Sequence, residues 1–259
     1  MSWTLATFNV NGVRARLAIL QDWLAQHRPQ VACLQETKVP DDAFPAAAFE
    51  ELGYTASFQG QKSYNGVAIL TTVPPEEVQR GFPDGWNAAE ARFISLKTQG
   101  VRVVNVYAPQ GKDPADPAYE HKLEFFGRLT AWLRENFSPG DPLVLCGDLN
   151  VAPTDLDLFD PAGLAGSVGC QPAERAALAE LAAWGLEDLF RRHHPEDKQF
   201  SFWDYRLPNG FKRNLGWRID HILATPPLAG LSLDCWVDTG PRALPKPSDH
   251  TPVLAEFAD

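Results

Sequence analysis

Six short clusters in this chain end or open apolar, strand-like runs with groups that can ligate hard cations or move protons. Asn9 and Asn11 follow the first run, Gln35-Glu36-Thr37-Lys38 follows the second, and Tyr107 and Gln110 follow a later one. Asp148 and Asn150 follow Val-Leu-Cys146-Gly, Asp220-His221 opens a late run, and Ser248-Asp249-His250-Thr251-Pro252 leads into the last. Each cluster alone reads as a turn: Asn-Val-Asn-Gly and Gly-Asp-Leu-Asn both suit side chain-to-backbone turn bonding. Together they say more. Carboxylates at the ends of core strands are desolvated unless they meet a metal, one another or a substrate. In layered α/β proteins the strand ends are where sites are built. The set is hard and oxygen-rich, which suits Mg²⁺ or Mn²⁺ and lacks the Cys/His character of a zinc site.

The elements that must position these groups follow from apolar periodicity. Strands are expected over residues 3–8, 31–34, 67–71, 93–97, 101–107, 143–146, 219–224, 231–237 and 253–257. The strands 67–71, 93–97 and 101–107 read as a meander, with Gly100 in a tight turn between the last two. A helix over 15–26 puts Leu17, Leu20, Trp23 and Leu24 on one face and is stopped by Pro29. The longest helix, 119–137, points Leu123, Phe126, Leu129, Trp132 and Leu133 inward, and a further helix covers 172–184. Interleaved helices and frequent hairpins indicate layered α/β with mixed sheets, two sheets face to face and helices outside. The two halves share one grammar of strand, polar loop, helix, strand and acidic loop.

Composition narrows the function classes. The chain has 259 residues, 44% hydrophobic and 22% charged, which excludes a disordered or fibrous protein. No linker, repeat or low-complexity tract divides it. A formal net charge of −10 argues against a protein that coats nucleic acid non-specifically. It leaves room for an enzyme that meets phosphate at one local basic face. Residues 206–218 are such a stretch: Arg206, Lys212, Arg213 and Arg218 with no acid, interleaved with Phe211 and Trp217 and preceded by Phe200, Phe202, Trp203 and Tyr205. Cys33, Cys146, Cys170 and Cys235 form no metal or redox spacing and read as buried thiols of a reducing compartment. There is no secretory signal pattern and no apolar run of membrane-spanning length, so a cytoplasmic location is expected.

The ordered motifs Asn9-Val-Asn-Gly, Leu34-Gln-Glu-Thr-Lys38, Tyr107-Ala-Pro-Gln-Gly, Gly147-Asp-Leu-Asn150, Trp217-Arg-Ile-Asp220 and Ser248-Asp-His-Thr-Pro-Val253 run through essentially the whole chain. In this order the chain resembles the exonuclease III family of AP endonucleases, within the endonuclease/exonuclease/phosphatase superfamily. The resemblance implies a single domain over residues 1–259, a four-layer α/β/β/α sandwich with two mixed, mainly antiparallel sheets. It implies hydrolysis of the phosphodiester 5′ to abasic sites in duplex DNA by in-line attack of water. Side activities at 3′ ends, exonuclease and phosphatase or phosphodiesterase, come with it. The cofactor implied is Mg²⁺ or Mn²⁺, one or two ions. The implied partner is double-stranded DNA with abasic sites or blocked 3′ ends, met by a monomer with no obligate protein partner.

Carried onto this sequence, the family pattern makes Glu36 the leading metal ligand, helped by Asn9 and at longer range by Asp249. Asp148 becomes the general base or the group that orients water. Asn150, two positions on in a strand-like segment, supports it. His250 faces the phosphate, Asp220 fixes its tautomer, and Tyr107 donates as phenol or assists as phenolate. A second ion would use Asp148, Asn150 and His250. Phe202, Trp203 and Trp217 line the pocket for an extruded base-less sugar, with Ile219 as a wall. Arg14, Arg16, Lys38, Lys112, Lys122, Arg206, Lys212 and Arg213 are the phosphate contacts. Plainer roles compete at some positions: Asn11 caps its turn, His221 faces away from Asp220, and Asp155 and Asp157 are surface carboxylates at a helix start. His27, His121, His193 and His194 are surface residues. A phosphatase of small or lipid phosphates would share Glu36, Asp148, Asn150, Asp249 and His250, but would not need the aromatic and basic stretch at 200–218. An adaptor that has lost its chemistry is disfavoured because every expected catalytic position is filled. The Gly-rich segment 163–170 departs from the pattern and leaves the balance of endonuclease and exonuclease activity open.

Overall fold

Within residues 2–259, the part of the chain that the computed structural model describes, the apolar runs form two six-stranded sheets. The first half supplies β1 (Ser2–Asn9), α1 (Leu17–His27), β2 (Val31–Gln35), α2 (Ala46–Glu50), β3 (Thr55–Gln59) and β4 (Val67–Thr71). Then come β5 (Glu76–Arg80), β6 (Phe93–Thr98), β7 (Val101–Tyr107), α3 (Pro117–Asn136) and β8 (Leu143–Asp148). The chain ends with α4 (Pro172–Ala183), β9 (Glu187–Asp188), α5 (Leu189–His193), β10 (Asp220–Ala224), α6 (Pro226–Ala229), β11 (Ser232–Val237) and β12 (Val253–Ala258). One sheet has the order β11-β12-β1-β2-β4-β3 and the other β5-β6-β7-β8-β10-β9. Each contains one parallel pair, β1 with β2 and β7 with β8, among otherwise antiparallel neighbours.

Side chains alternate across each strand and so feed two apolar layers at once. Leu5, Val31, Cys33 and Ile69 meet Ile94, Val103, Cys146 and Ile222 between the sheets. Ala6, Phe8, Ala32 and Leu34 turn the other way, under Leu20, Trp23 and Leu24 of α1. On the far side Val104, Val106 and Leu145 lie under Phe125, Phe126 and Leu129 of α3 and Leu178 and Leu181 of α4. This is the four-layer α/β/β/α arrangement. Burial on both faces explains why the central strands read as continuous apolar runs.

Several boundaries differ from the expectation. β4 leaves the meander: it pairs with β2 and β3 in the first sheet, while β6 and β7 lie in the second. The Gln99-Gly100 turn joins β6 to β7, both residues with positive φ. β8 runs on to Asp148 because residue 147 is glycine; a Cβ there would sit 1.9 Å from the Val106 carbonyl oxygen. The α3 helix begins earlier, at Pro117, where the Asp116 side chain accepts from Ala118 N–H at 2.8 Å. Its inward face is also rotated, since Leu123 is half-buried and Lys122 and Phe125 are buried. The edge strands β3 and β5 were not expected because Thr-Ala-Ser-Phe-Gln and Glu-Glu-Val-Gln-Arg carry too little apolar signal.

A buried charge cluster braces the second sheet where a surface carboxylate was expected. Asp157 is fully buried, not exposed: Arg218 Nε bonds its Oδ1 at 2.7 Å, and Arg191 reaches the same oxygen. Arg218 also pairs with Asp188 at 2.8 Å and lies 3.0 Å from His221 Nδ1. Asp155 does stay exposed, paired with Arg175. Burial works against charge on Asp157 and Asp188, but Arg218 outweighs it and holds both below the usual carboxylate range. Their contribution to stability is therefore complete above the unfolded carboxylate pKa of about 4 and is lost as the pH falls below it. Replacing Arg218→Leu leaves half-buried Asp188 without its cation and Asp157 with Arg191 alone, and is expected to cost about 3–5 kcal/mol at neutral pH. Urea unfolding is the measurement. The deficit is predicted to shrink at about pH 3, where both carboxyls lose charge on unfolding. A deficit independent of pH contradicts this account.

Candidate active site

The parallel pairs bring the polar strand ends to one edge of the sandwich. Register sets Asn9 beside Gln35 in the first sheet, and Asp148 between Tyr107 and Asp220 in the second. The β1–β2 pairing continues past the strands as Val10 N–H to Gln35 O at 3.0 Å, Gly12 N–H to Glu36 O at 2.7 Å and Val13 N–H to Thr37 O at 3.0 Å. That holds the two turns side by side. Asn11, Glu36, Lys38 and Asn150 all have positive φ, between 45° and 56°. A concentration of left-handed backbone at non-glycine residues is costly and marks a place where side-chain direction is over-determined. From the last segment, Ser248 Oγ donates to Asn9 O at 2.7 Å and Phe202 bridges to His250.

The side chains then converge. Asn9 Nδ2 donates to Glu36 Oε1 at 2.7 Å and to Asp148 Oδ2 at 2.8 Å, so one amide ties carboxylates from the two sheets. His250 Nδ1 bonds Asp220 Oδ2 at 2.8 Å, which turns Nε2 toward Asp148, 3.7 Å away. Asp220, Asp148 and His250 are buried. Burial opposes charge on the imidazole, but Asp220 and then Asp148 outweigh it and push His250 up to about 10. Burial also pushes Asp148 up to about 7, with Asp220 and Glu36 adding to the rise and His250 opposing it. Glu36 stays below its ordinary value: burial raises it, but Lys38 and the Asn9 amide outweigh burial. The Tyr107 phenol is raised well above its usual value by burial and by Glu36 and Asp148, so it is a proton donor and not a phenolate.

The donor set fits a hard cation. One ligand atom each from Glu36, Asp148 and His250 lie within 4.8 Å of one another. Lys38 Nζ already sets a positive charge 2.7 Å from Glu36 Oε2, which shows the demand for one. Asn9 Oδ1 accepts Asn11 N–H at 3.0 Å, while its Nδ2 joins Glu36 to Asp148. Asp249 stands beside the cluster, not in it, and accepts from Asn11 Nδ2 at 2.9 Å. Asn11 is thus more than a turn residue. It links Lys38 to Asp249, a role masked by how often asparagine simply makes turns. Asn150 is carried by a turn and not by a strand: its N–H bonds Asp148 Oδ1 at 2.9 Å and its side chain bonds Ala108 O at 3.0 Å.

Beside this cluster opens a cleft of about 510 Å³, lined by Tyr107, Lys112, Asn150, Gly169, Phe202, Trp217, Ile219 and His250 among others. Phe202 leans on the His250 ring, centroids 4.8 Å apart. A groove of about 490 Å³ at the other end of the sheets, lined by Trp3, Val101 and Leu228, carries none of these groups. Two expected DNA-contacting residues, Trp203 of the pocket and Lys122 of the phosphate contacts, are corrected. Trp203 is 1% exposed and packs in the core on Phe211, where a Cβ on Gly216 would touch its indole nitrogen. Lys122 is fully buried and paired with Glu174, so it cannot meet a phosphate. Arg16 spends its guanidinium on Asn11 O, Pro247 O and Tyr205 Oη. The positive charge of 206–218 is also smaller than its sequence count. Arg218 is buried, and Arg206 is paired with Asp204 just outside the stretch. Arg14, Lys112, Lys212 and Arg213 remain exposed, with Arg14 Nε on Ala43 O. His221 faces away as expected, onto Val151 O at 2.9 Å, and His27, His121, His193 and His194 lie partly exposed outside the site.

Known proteins share this fold and much of this sequence. The sequence matches the Endonuclease/Exonuclease/phosphatase family over residues 6–250. Exodeoxyribonuclease III of Haemophilus influenzae is 39% identical over 267 residues, spanning 97% of this chain and 98% of the relative. An AP endonuclease structure from Archaeoglobus fulgidus matches with a TM-score of 0.97 at 40% identity, covering 99% of this chain and 100% of the other. A 3′ phosphatase from Neisseria, NExo, bound to product DNA hairpin, gives 0.96 at 40% identity with the same coverage. In fold, ordered motifs and near full-length identity, the chain belongs to the endonuclease/exonuclease/phosphatase family and to its exonuclease III branch.

Proposed function

We infer that the chain is a DNA repair nuclease that hydrolyses the phosphodiester 5′ to abasic sites in duplex DNA and also acts on 3′ ends. The observation that carries this is the set of half-buried Glu36 and buried Asp148, Asp220 and His250 opening onto a cleft walled by Phe202 and Trp217. A phosphatase of small esters needs the first part and not the second. The relatives support the same reading, being an exodeoxyribonuclease III, an AP endonuclease and a 3′ phosphatase solved with product DNA.

Each residue has a part that follows from its surroundings. Asp148, poised near neutral pH, takes a proton from water as it attacks phosphorus. His250, kept cationic by Asp220, donates to a phosphoryl oxygen and stabilises the charge that grows there. Tyr107, held as phenol, is a second donor, and Asn150 holds Asp148 through its N–H. Glu36 would lead in holding the divalent ion, Mg²⁺ or Mn²⁺, and a bound ion neutralises charge on phosphate oxygens. Phe202, Trp217 and Ile219 are the pocket for a base-less sugar, with Lys112, Lys212 and Arg213 toward the phosphates. Four buried free cysteines fit the reducing compartment of a cytoplasmic protein.

Two measurements test the reading. A 5′-labelled duplex with one abasic-site analogue is expected to be cut immediately 5′ of the lesion with Mg²⁺ and not with EDTA. No cleavage with Mg²⁺ or Mn²⁺ contradicts it. In the pH profile, His250 must be protonated, so activity should persist until the pH nears about 10 and then fall. Asp220→Asn removes the main group that raises it and is expected to move that alkaline limb down, with kcat reduced about 10²–10³-fold. An unmoved alkaline limb contradicts the role given to the pair.

A further inference from the structure

Lys122 and Glu174 form a fully buried ion pair that the chemistry above does not use. Lys122 comes from α3 and Glu174 from the first turn of α4. The three protons of the ammonium find three acceptors: Glu174 Oε1, Asn150 O at 2.7 Å and Gln110 O at 3.2 Å. Glu174 Oε2 in turn accepts from Gly169 N–H at 2.7 Å and Gln171 N–H at 3.0 Å. One pair thus joins three segments that line the cleft, around Gln110, Asn150 and Gly169. Glycines let those segments close on it. A Cβ on Gly111 would lie 3.2 Å from Lys122 Cδ and from Val168 Cγ1, and one on Gly169 would lie 3.1 Å from the Trp217 ring. A buried ion pair gives little stability beyond an apolar pair of the same shape, so stability alone does not account for it.

The three segments depend on the pair unequally. Asn150 has its own anchors on Asp148 and Ala108. The 164–169 loop meets this side of the cleft through Glu174 and through Ala152 N–H to Gly169 O at 2.7 Å. Gly169 is the backing of Trp217. We propose that the Lys122–Glu174 pair is a positioning element that fixes the wall of the cleft beside Trp217, and with it the preference for a substrate that lodges a base-less sugar there. This rests on the nuclease reading above. A DNA 3′-phosphate offers its phosphate to Asp148 and His250 but carries no sugar beyond it, so it does not use that wall.

The test is the double variant Lys122→Met/Glu174→Gln, which removes both charges and leaves no lone one buried. KM and kcat are measured with Mg²⁺ on a duplex bearing an abasic-site analogue and on a nicked duplex ending in a 3′-phosphate. The expected result is a KM for the abasic duplex raised about tenfold, with kcat/KM on the 3′-phosphate changed less than about twofold. An unchanged ratio of the two kcat/KM values, whether both hold or both fall by one factor, overturns the proposal. Glu174→Gln alone is read by the same criterion if the double variant does not fold. Wild-type protein that removes the 3′-phosphate yet leaves the abasic duplex intact overturns the reading beneath the proposal, and the proposal with it.

Discussion

Carboxylates that repel one another are held together at the top of this sandwich by one imidazolium and one amide. Asp148 and Asp220 are side by side on β8 and β10, and Glu36 joins them across the gap between the sheets. In a buried setting like charges cannot all persist unaided. His250 supplies the cation between Asp220 and Asp148, and the Asn9 amide donates to both Glu36 and Asp148. The fold serves this junction. Each sheet contributes its single parallel pair, and those pairs deliver Asn9 with Glu36, and Tyr107 with Asp148, to the same edge. On the function proposed above, the same tension serves the chemistry: Asp148 is held near neutrality for a base and His250 is held charged, and a divalent ion would relieve what remains.

Much of this is legible in the sequence. Apolar runs ending in Asn, Glu, Asp or His show their function in their composition, because such groups are too costly to bury for nothing. Helices α1, α3 and α4 follow from apolar spacing, with Pro29 and Pro172 as punctuation, although the Pro117 start of α3 did not. What escaped is long-range. No local pattern says that β4 joins the first sheet while β6 and β7 join the second. Nor does it say that Lys122 and Arg218, ordinary cations by type, lie buried against carboxylates 52 and 61 residues away in sequence. Trp203 was misread for the same reason: an aromatic next to a pocket residue looks like one, yet alternation turns it into the core.

The buried pairs do nothing to relieve the net charge of −10: Arg218, Arg191 and Lys122 are each spent on a carboxylate. On the function proposed above, the attraction for phosphate comes from the site itself: the His250 imidazolium, the divalent ion the site would hold and Lys112 at the cleft. Shape then counts for more than net field, which places weight on Phe202 and Trp217 and on the wall behind them.

On the function proposed above, His250 is a cation in the resting protein because Asp220 holds it so. Nitrogen NMR of histidine-labelled protein over a pH series measures this directly, free of turnover. The account predicts that the ring nitrogens of His250 keep imidazolium shifts through about pH 8–9, well above a free imidazole's titration near 6.5, and that Asp220→Asn brings the transition down. A His250 that titrates near 6.5 in the native protein, or one unmoved by Asp220→Asn, would contradict it.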